Sequence, residues 1–402
     1  MGGGSVQVFA VEDRSVQLTW SSLPSTGLTI EVGDQSLPVG SAPPAWYTTR
    51  LGRRSRPGTS GPGAVTIGGL EPGTEYDVCL SGRRLARRKV ATATTLRPPP
   101  GRLLARFATV SDCHIGESHL GALKVLHDPS PRPAGLIPYP ERCARAAVSQ
   151  CVEWGAELLA VKGDLTAEGG SAEVEAAIDM LRTAGVPVEV VLGNHDVRGP
   201  VDVAAALCAR GIPGSTRPRA VDLPGARLVM GHSPVPHHHA GRVPGDHARQ
   251  LAELAGAASG PAVVILHHPP RRRRIETKYP PSIGHRDSSR LTEALAATNP
   301  AVLILAGHTH RNRFYRVGGV PVAEVGATKD YPGQWAGYTV HEGGIRQVVY
   351  RIALPEAIAW TEMTRRAIGG LWGLWSPGRL SERCWTLEWP SRPPKIAAPA
   401  PS

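Results

Sequence analysis

A small all-β sandwich followed by a larger α/β domain is the fold class this sequence predicts, and three observations carry it. Residues 6 to 95 hold short alternating runs separated by Gly, Pro and Ser, the pattern of strands with one buried face. From Arg106 onward, apolar strand-like runs alternate with Ala-rich stretches of helical period, as expected where helices connect buried strands. Between the two patterns stands "TLRPPPGR", Thr95 to Arg102, whose consecutive prolines predict a stiff extended connection. A length of 402 residues also exceeds what one ordinary core organises.

In the front region, strands are expected at "SVQLTW", "GLTIEV" and "AVTIGGL", with Trp20 ending the first. "LEPGTEYDVCLSG", Leu70 to Gly82, then sets Pro72, Thr74 and Tyr76 just ahead of a further strand. This Leu-x-Pro-x-Thr-x-Tyr run resembles the late strands of a fibronectin type III domain, which implies a tyrosine at a loop corner. In the second region the alternation runs through "RFATVSD", "CARAAVSQCVEWGA", "ELLAVKGD", "AEVEAAIDMLRTAG" and "PVEVVLGNHD". The expected boundaries are 1–97 for the sandwich, 98–104 for the linker, 105–355 for the α/β domain, 356–390 for a Trp-rich extension and 391–402 for a disordered tail. Five of the nine tryptophans (Trp360, Trp372, Trp375, Trp385, Trp389) fall in that extension. Packing over a face of the main domain accounts for them better than a ligand box does.

A formal charge of +11 and a pI near 9.7 favour anionic partners such as phosphate esters, nucleic acid or acidic lipid. The opening "MGGGSVQVFAVEDRS" lacks a basic and then apolar leader, and no window holds 18 uninterrupted apolar residues. Six cysteines without CxxC spacing indicate neither a zinc knuckle nor a disulfide framework. The expectation is a soluble cytoplasmic protein with reduced thiols and no membrane span.

Five clusters of metal-capable residues each follow a strand-like run. They are "ATVSDCH" (Asp112, His114), "LLAVKGD" (Asp164), "VVLGNHD" (Asn194, His195, Asp196), "AVVILHH" (His267, His268) and "AVLILAGHTH" (His308, His310). Loops at the carboxyl ends of strands in α/β sheets converge on one place, so clusters far apart in sequence can build one site. Each cluster alone is more often structural. Their order, Asp-x-His, Gly-Asp, Gly-Asn-His-Asp, His and Gly-His-x-His, resembles the calcineurin-like metallophosphoesterases over about residues 104 to 350.

That resemblance implies a four-layer αββα sandwich and a dinuclear metal-dependent phosphoesterase. One metal would be held by Asp112, His114, Asp164 and His310, and the second by Asp164, Asn194, His267 and His308, with Asp164 bridging. Mixed imidazole and oxygen ligands suit Mn, Fe or Zn over Mg or Ca. Attack on phosphorus would come from a hydroxide held between the metals. His195 would act as general acid to the leaving oxygen, with Asp196 orienting its ring. In "HHPP", alternation and family precedent make His267 the ligand and His268 its outward-facing neighbour. Cys113, between two ligands, is expected to pack away from them.

Purple acid phosphatases, which also often carry a fibronectin-like front domain, differ at two motif positions: here His114 is present, and Ala167 stands where they have a tyrosine ligand. The chain is instead similar to the branch with bacterial class III cyclic nucleotide phosphodiesterases, which implies small substrates such as 3′,5′-cyclic nucleotides. An inserted loop bordering the site is expected within "HDPSPRPAGLIPYPERC". Arg271 and Arg272, opening the run "RRRR", are candidate phosphate contacts because guanidinium matches phosphate bidentately. No ligand role is assigned to His237, His238 or His239. A nuclease or phosphoprotein phosphatase of the same superfamily is the competing enzyme reading, and a scaffold with a vestigial site the non-enzymatic one. Nucleic acid is permitted by charge but not favoured, since no separate basic, aromatic-rich module appears.

Overall fold

Among the described residues the front alternation becomes seven strands: β1 (Gln7–Val11), β2 (Val16–Trp20), β3 (Leu28–Val32), β4 (Gln35–Pro38), β5 (Gly63–Ile67), β6 (Glu75–Gly82) and β7 (Leu85–Thr94). They form two antiparallel sheets, in the orders β1-β2-β5 and β4-β3-β6-β7. In β3, Leu28, Ile30 and Val32 are buried while Thr29 and Glu31 stay half-exposed, the period of two that lets one face build a core. Ahead of β6 the backbone N–H of Glu71 donates to Tyr76 Oη at 2.8 Å, pinning the loop corner. This computed structural model describes residues 6–24, 27–39, 61–120, 126–127, 137–214, 216–275 and 279–389. The tail expected at 391–402 lies outside them.

The second region opens with β8 (Leu103–Val110), the short pair β9 (His119–Leu120) and β10 (Leu126–His127), α1 (Tyr139–Glu153), β11 (Leu158–Lys162), α2 (Ser171–Arg182) and β12 (Val188–Val191). After α3 (Val203–Ala209) come β13 (Arg219–Leu223), β14 (Ala226–Met230), α4 (Gly245–Gly256), β15 (Ala262–Ile265), α5 (His285–Thr298) and β16 (Val302–Ala306). Antiparallel strands β17 (Arg313–Val317), β18 (Val320–Glu324), β19 (Gln334–His341) and β20 (Gly344–Arg351) follow. The chain then runs through α6 (Pro355–Thr364), α7 (Trp372–Trp375), α8 (Leu380–Arg383) and β21 (Cys384–Glu388).

Two six-stranded sheets result, ordered β12-β11-β8-β19-β20-β21 and β13-β14-β15-β16-β18-β17. β12, β11 and β8 run parallel in the first, and β14, β15, β16 and β18 in the second. Alternation along the second sheet divides its side chains between two cores. Leu228, Met230, Val263, Ile265, Leu303 and Leu305 join the residues of the first sheet. Val229, Val264, Leu266, Val302, Ile304 and Val322 pack instead with Leu251, Leu291 and Leu295 of α4 and α5. With α1 and α2 packed into the core of the first sheet, the layers are helix, sheet, sheet, helix. Burial on both faces is why "AVVI" and "VLILA" read as unbroken apolar runs.

Three local expectations change. α1 starts at Tyr139, not near Cys143, because Pro140 falls in the first turn, where its missing N–H costs nothing. Part of the expected inserted loop is therefore helix, and its residues 128–136 lie outside the described ones. β8 begins at Leu103, inside the stretch expected to be linker.

The front sandwich is also bound to the back of the α/β domain. Gln17 reads the backbone of Arg351 in both directions, Nε2 to O at 2.9 Å and N to Oε1 at 2.7 Å. Arg383 donates to Phe9 O at 2.8 Å, and Trp154 donates to Glu12 at 3.1 Å. The Trp-rich extension contributes β21 to the first sheet, and Trp360 is buried in a stack on Tyr139 with its Nε1 donating to Lys329 O at 2.8 Å. Among the described residues, no helix is long and apolar enough to cross a membrane, and all six cysteines are unbridged.

Candidate metal centre

The carboxyl ends of β8, β11, β12, β15 and β16 deliver all five motif loops to one place. Backbone hydrogen bonds set the loops against one another: Asp112 N to Gly163 O at 3.0 Å, His114 N to Asp164 O at 2.9 Å and Gly307 N to His267 O at 3.0 Å. Such close approach demands both glycines and unusual backbone. A Cβ on Gly193 would strike the backbone N and Oδ1 of Asp164, and one on Gly307 would strike Ser111 Oγ. Asp112, His114, Asp164, His308 and His310 all have φ between 47° and 67°. For non-glycine residues that left-handed region is sparsely populated, and clusters of it mark sites where the surrounding fold holds strain in place.

The side chains converge around Asp164. Its Oδ2 lies 3.5 Å from His114 Nε2, 3.3 Å from His267 Nε2 and 4.0 Å from His195 Nε2. On one flank, Asp112 Oδ1 stands 3.3 Å from His310 Nε2. On the other, His267 Nε2 is 3.2 Å from both Asn194 Oδ1 and His308 Nδ1. Asp112, His114, Asp164, His267 and His310 thus fall into groups with ligand atoms close enough to hold a metal ion. All of these but His310 are fully buried, as are Asn194 and His308.

The donor set fits metals on its own geometry. In four histidines the ring nitrogen turned away from the cluster is tied to an acceptor: His267 Nδ1 to Lys162 O at 2.8 Å, His310 Nδ1 to Asp330 at 2.7 Å, His308 Nε2 to Pro281 O at 3.1 Å and His195 Nδ1 to Ala167 O at 2.6 Å. Each bond directs the remaining lone pair inward, as backing acceptors do for metal-binding imidazoles. His114 Nε2 is buried with no hydrogen-bond partner, and its lone pair is of the kind a cation ligated by the neighbouring carboxylates would use.

Electrostatics point the same way. Burial opposes the charged form of His267, but the Asp164 carboxylate overrides it and lifts the imidazole to about 9. The same contest at His310, decided by Asp330 and Asp112, lifts it to about 10. Burial pushes His308 down to about 3, and burial with the nearby Lys329 holds His114 well below its usual range. Burial would raise the Asp164 carboxyl, yet the surrounding His267 and His195 hold it well below the ordinary carboxylate range. A buried cluster that keeps its carboxylates ionised is poised for cations.

Several expected placements are corrected by the structure. Asp196 does not touch the His195 ring. Its carboxylate accepts from Thr166 N and Thr166 Oγ at 2.8 Å, Gly193 N at 2.8 Å and Leu165 N at 3.2 Å. It therefore clamps the β12 loop to the β11 loop, and the backbone of Ala167 orients His195 instead. Asp196→Asn should cost about 2–3 kcal/mol of stability by orphaning a buried donor. It should also slow good and poor leaving groups alike; a loss confined to poor leaving groups would return Asp196 to an orienting role.

His268 is fully buried, not outward-facing, because Ser233 Oγ and His239 O take its two ring nitrogens at 2.9 and 3.2 Å. Cys113 is fully buried in the large core, where burial raises its thiol to about 12. Arg271 is half-buried with its backbone N donating to Ser288 Oγ at 2.8 Å, and Arg272 is exposed. Two residues went unread in the sequence. Asp330 backs His310, and Arg198 reaches His195 Nδ1 at 3.2 Å and His239 Nδ1 at 3.0 Å. The signal for Asp330 was available: like the ligand motifs, "GATKD" follows an apolar strand.

Fold and site together define a metal-dependent phosphoester hydrolase. Residues 105–312 match the calcineurin-like phosphoesterases, and the chain belongs to that family. It is 29% identical over 203 residues to a probable cyclic nucleotide phosphodiesterase of Synechococcus, covering 50% of this chain and 74% of the relative. A probable cyclic nucleotide phosphodiesterase of Rhodococcus erythropolis is 29% identical over 235 residues, 54% of this chain and 69% of the relative. Among solved structures, a dimetal phosphatase from Danio rerio aligns with 62% of this chain and 97% of its own at 12% identity, TM-score 0.48. Purple acid phosphatase from yellow lupin aligns with 87% and 72% at 12% identity, TM-score 0.43.

Proposed function

We propose that the chain is a dinuclear phosphodiesterase acting on small diesters such as 3′,5′-cyclic nucleotides. The observation that carries the reading is the position of Asp164 Oδ2 between His114 Nε2 and His267 Nε2, so that one carboxylate serves two clusters. Asp112, His114, Asp164 and His310 would hold one metal, and Asp164, Asn194, His267 and His308 the other. Two cations of the Mn, Fe or Zn type would polarise the phosphoryl oxygens and bring the nucleophile to neutral-pH reactivity.

The remaining work falls to the chain. His195, with Nδ1 held by Ala167 O, presents Nε2 toward the cluster, where a proton on that atom can pass to the leaving oxygen as the P–O bond breaks. Asn194 offers a neutral carbonyl, adding no negative charge beside an anionic substrate. The kinship with probable cyclic nucleotide phosphodiesterases supports cyclic nucleotides as substrate class. For the front domain, the strand orders and the Tyr76 corner support a fibronectin type III-like sandwich spanning 1–97. The deciding experiment loads the protein with Mn and assays bis(p-nitrophenyl) phosphate, cyclic nucleotides, mononucleotides, glycerophosphodiesters and phosphopeptides. Turnover should be highest on the diesters; a fully metallated chain inert on all of them ends this reading.

Two further outcomes follow from the geometry. Asp330→Ala should weaken metal binding about 10–100-fold, the usual cost of losing a backing partner, read by metal titration. Metal uptake at pH 7.5 should release about two protons per chain, since His267 and His310 are raised to about 9 and about 10 and must lose their protons to bind. Affinity should therefore rise with pH up to those values and fall on acidification. Calorimetry in buffers of different ionisation enthalpy counts the protons, and a count near zero would contradict the assignment of these two ligands.

A further inference from the structure

Two sequence features remain outside this account, the "RRRR" run and the exposed part of the Trp-rich extension. A shared partner, Arg311, links Tyr279, downstream of the run, to that extension. Ten large apolar side chains are exposed among the described residues, and six of them lie in two short segments: Ile275 and Tyr279 in one, Ile368, Leu371, Leu374 and Trp375 in the other. Arg311, the residue after His310, joins the segments. Its Nη2 donates to Tyr279 O at 3.3 Å, and its guanidinium lies 5.7 Å and 5.3 Å from the ring centres of Trp372 and Trp375. Asn312 fixes the second segment, its N bonding Ser376 O and its Nδ2 bonding Pro377 O, both at 3.0 Å.

Leu371 and Leu374 stand three residues apart on the right-handed turn into α7, and Ile368 precedes them in a left-handed turn with Gly369 and Gly370. All three face solvent, Leu374 exposed by 70% and Ile368 by 62%, as does Ile275 in the other segment, exposed by 75%. Apolar exposure concentrated this way marks an interaction surface, whereas scattered single residues need no explanation. Arg272, Arg273 and Arg274 directly precede Ile275, and Arg366 stands beside the second segment, all exposed. Protruding aliphatic residues, a tryptophan at the boundary and flanking arginines form the combination that enters a lipid headgroup layer.

We propose that this surface docks on an anionic lipid membrane, with the rim of the metal centre against the lipid. The patch adjoins the cluster directly, since the Trp372 ring lies 6.3 Å from that of His310. Charge complementarity selects the occupant. Anionic headgroups attract basic residues clustered at an apolar face, and the chain carries a net +11. A second copy of this chain seated on the same face would instead set arginine runs against each other. The proposal is independent of which ester is hydrolysed, and vesicle binding, not catalysis, decides it.

The test is flotation of the full chain with vesicles of phosphatidylglycerol and phosphatidylcholine in equal parts, against phosphatidylcholine alone. Wild type should float with the anionic vesicles at low salt, stay behind with the neutral ones and be released at high salt. Ile368→Glu with Leu374→Glu, and separately Arg273→Glu with Arg274→Glu, should each weaken binding by about tenfold or more. Both pairs are exposed, so circular dichroism and hydrolysis of soluble bis(p-nitrophenyl) phosphate should stay at wild-type levels. Wild type that ignores anionic vesicles overturns the proposal. So do acidic variants that bind like wild type, or a dimer in light scattering that I368E/L374E dissociates, which would hand the patch to a second copy.

Discussion

Asp164→Ala should leave a folded chain that retains neither metal and has lost about 10³-fold or more in kcat on any phosphodiester. The size follows from the several kcal/mol that a metal pair supplies to a phosphoryl transition state, at tenfold per ~1.4 kcal/mol. The reason it should exceed the loss at any other ligand is geometric. Asp164 Oδ2 faces His114 on one side and His267 on the other, and Oδ1 also accepts from His195 N at 2.8 Å. Its removal opens both clusters and unpins the loop that carries His195. Metal content by mass spectrometry, alongside circular dichroism to confirm folding, reads the result. Retention of one tightly bound metal would show that Asp164 belongs to a single site.

His195→Ala is the complementary case. Its ring is partly exposed, its Nε2 is the farthest of the three imidazole atoms from Asp164 Oδ2, and Ala167 O already orients its other nitrogen. Both metals should stay bound. Hydrolysis of diesters with alkoxide leaving groups should fall by about 10²–10⁴-fold, the usual share of a general acid, while p-nitrophenyl esters, whose leaving group needs little help, should fall far less. Geometry also permits a different role, because His195 groups with His114 and Asp164 within ligand reach. Loss of a metal in His195→Ala, with all leaving groups slowed equally, would make it a ligand.

Much of this site was legible because its chemistry sits on side chains at strand ends. "VKGD", "LGNHD", "ILHH" and "AGHTH" each end a buried run, so the apolar run announced the strand and the polar residues after it announced the loop. What stayed hidden was the backing layer. Lys162 O, Ala167 O and Pro281 O are main-chain atoms, and any residue supplies one. Asp196 shows the opposite error. Its place beside His195 suggested an ion pair, but consecutive residues leaving a strand point in different directions, and the nearest unpaired donors were those of the β11 loop.

The sequence by itself determined the class of fold and which strand ends carry metal-capable side chains, because hydrophobic pattern and side-chain chemistry are local properties. Only the tertiary structure decided which nitrogen of each histidine faces the cluster, which backbone carbonyls back the rings, and that the Trp-rich extension splits between a sheet strand and an exposed apolar rim. Those outcomes depend on distances between residues up to about two hundred positions apart, such as Asp112 and His308. Such distances are set when two sheets close on a common core, and no local pattern encodes them.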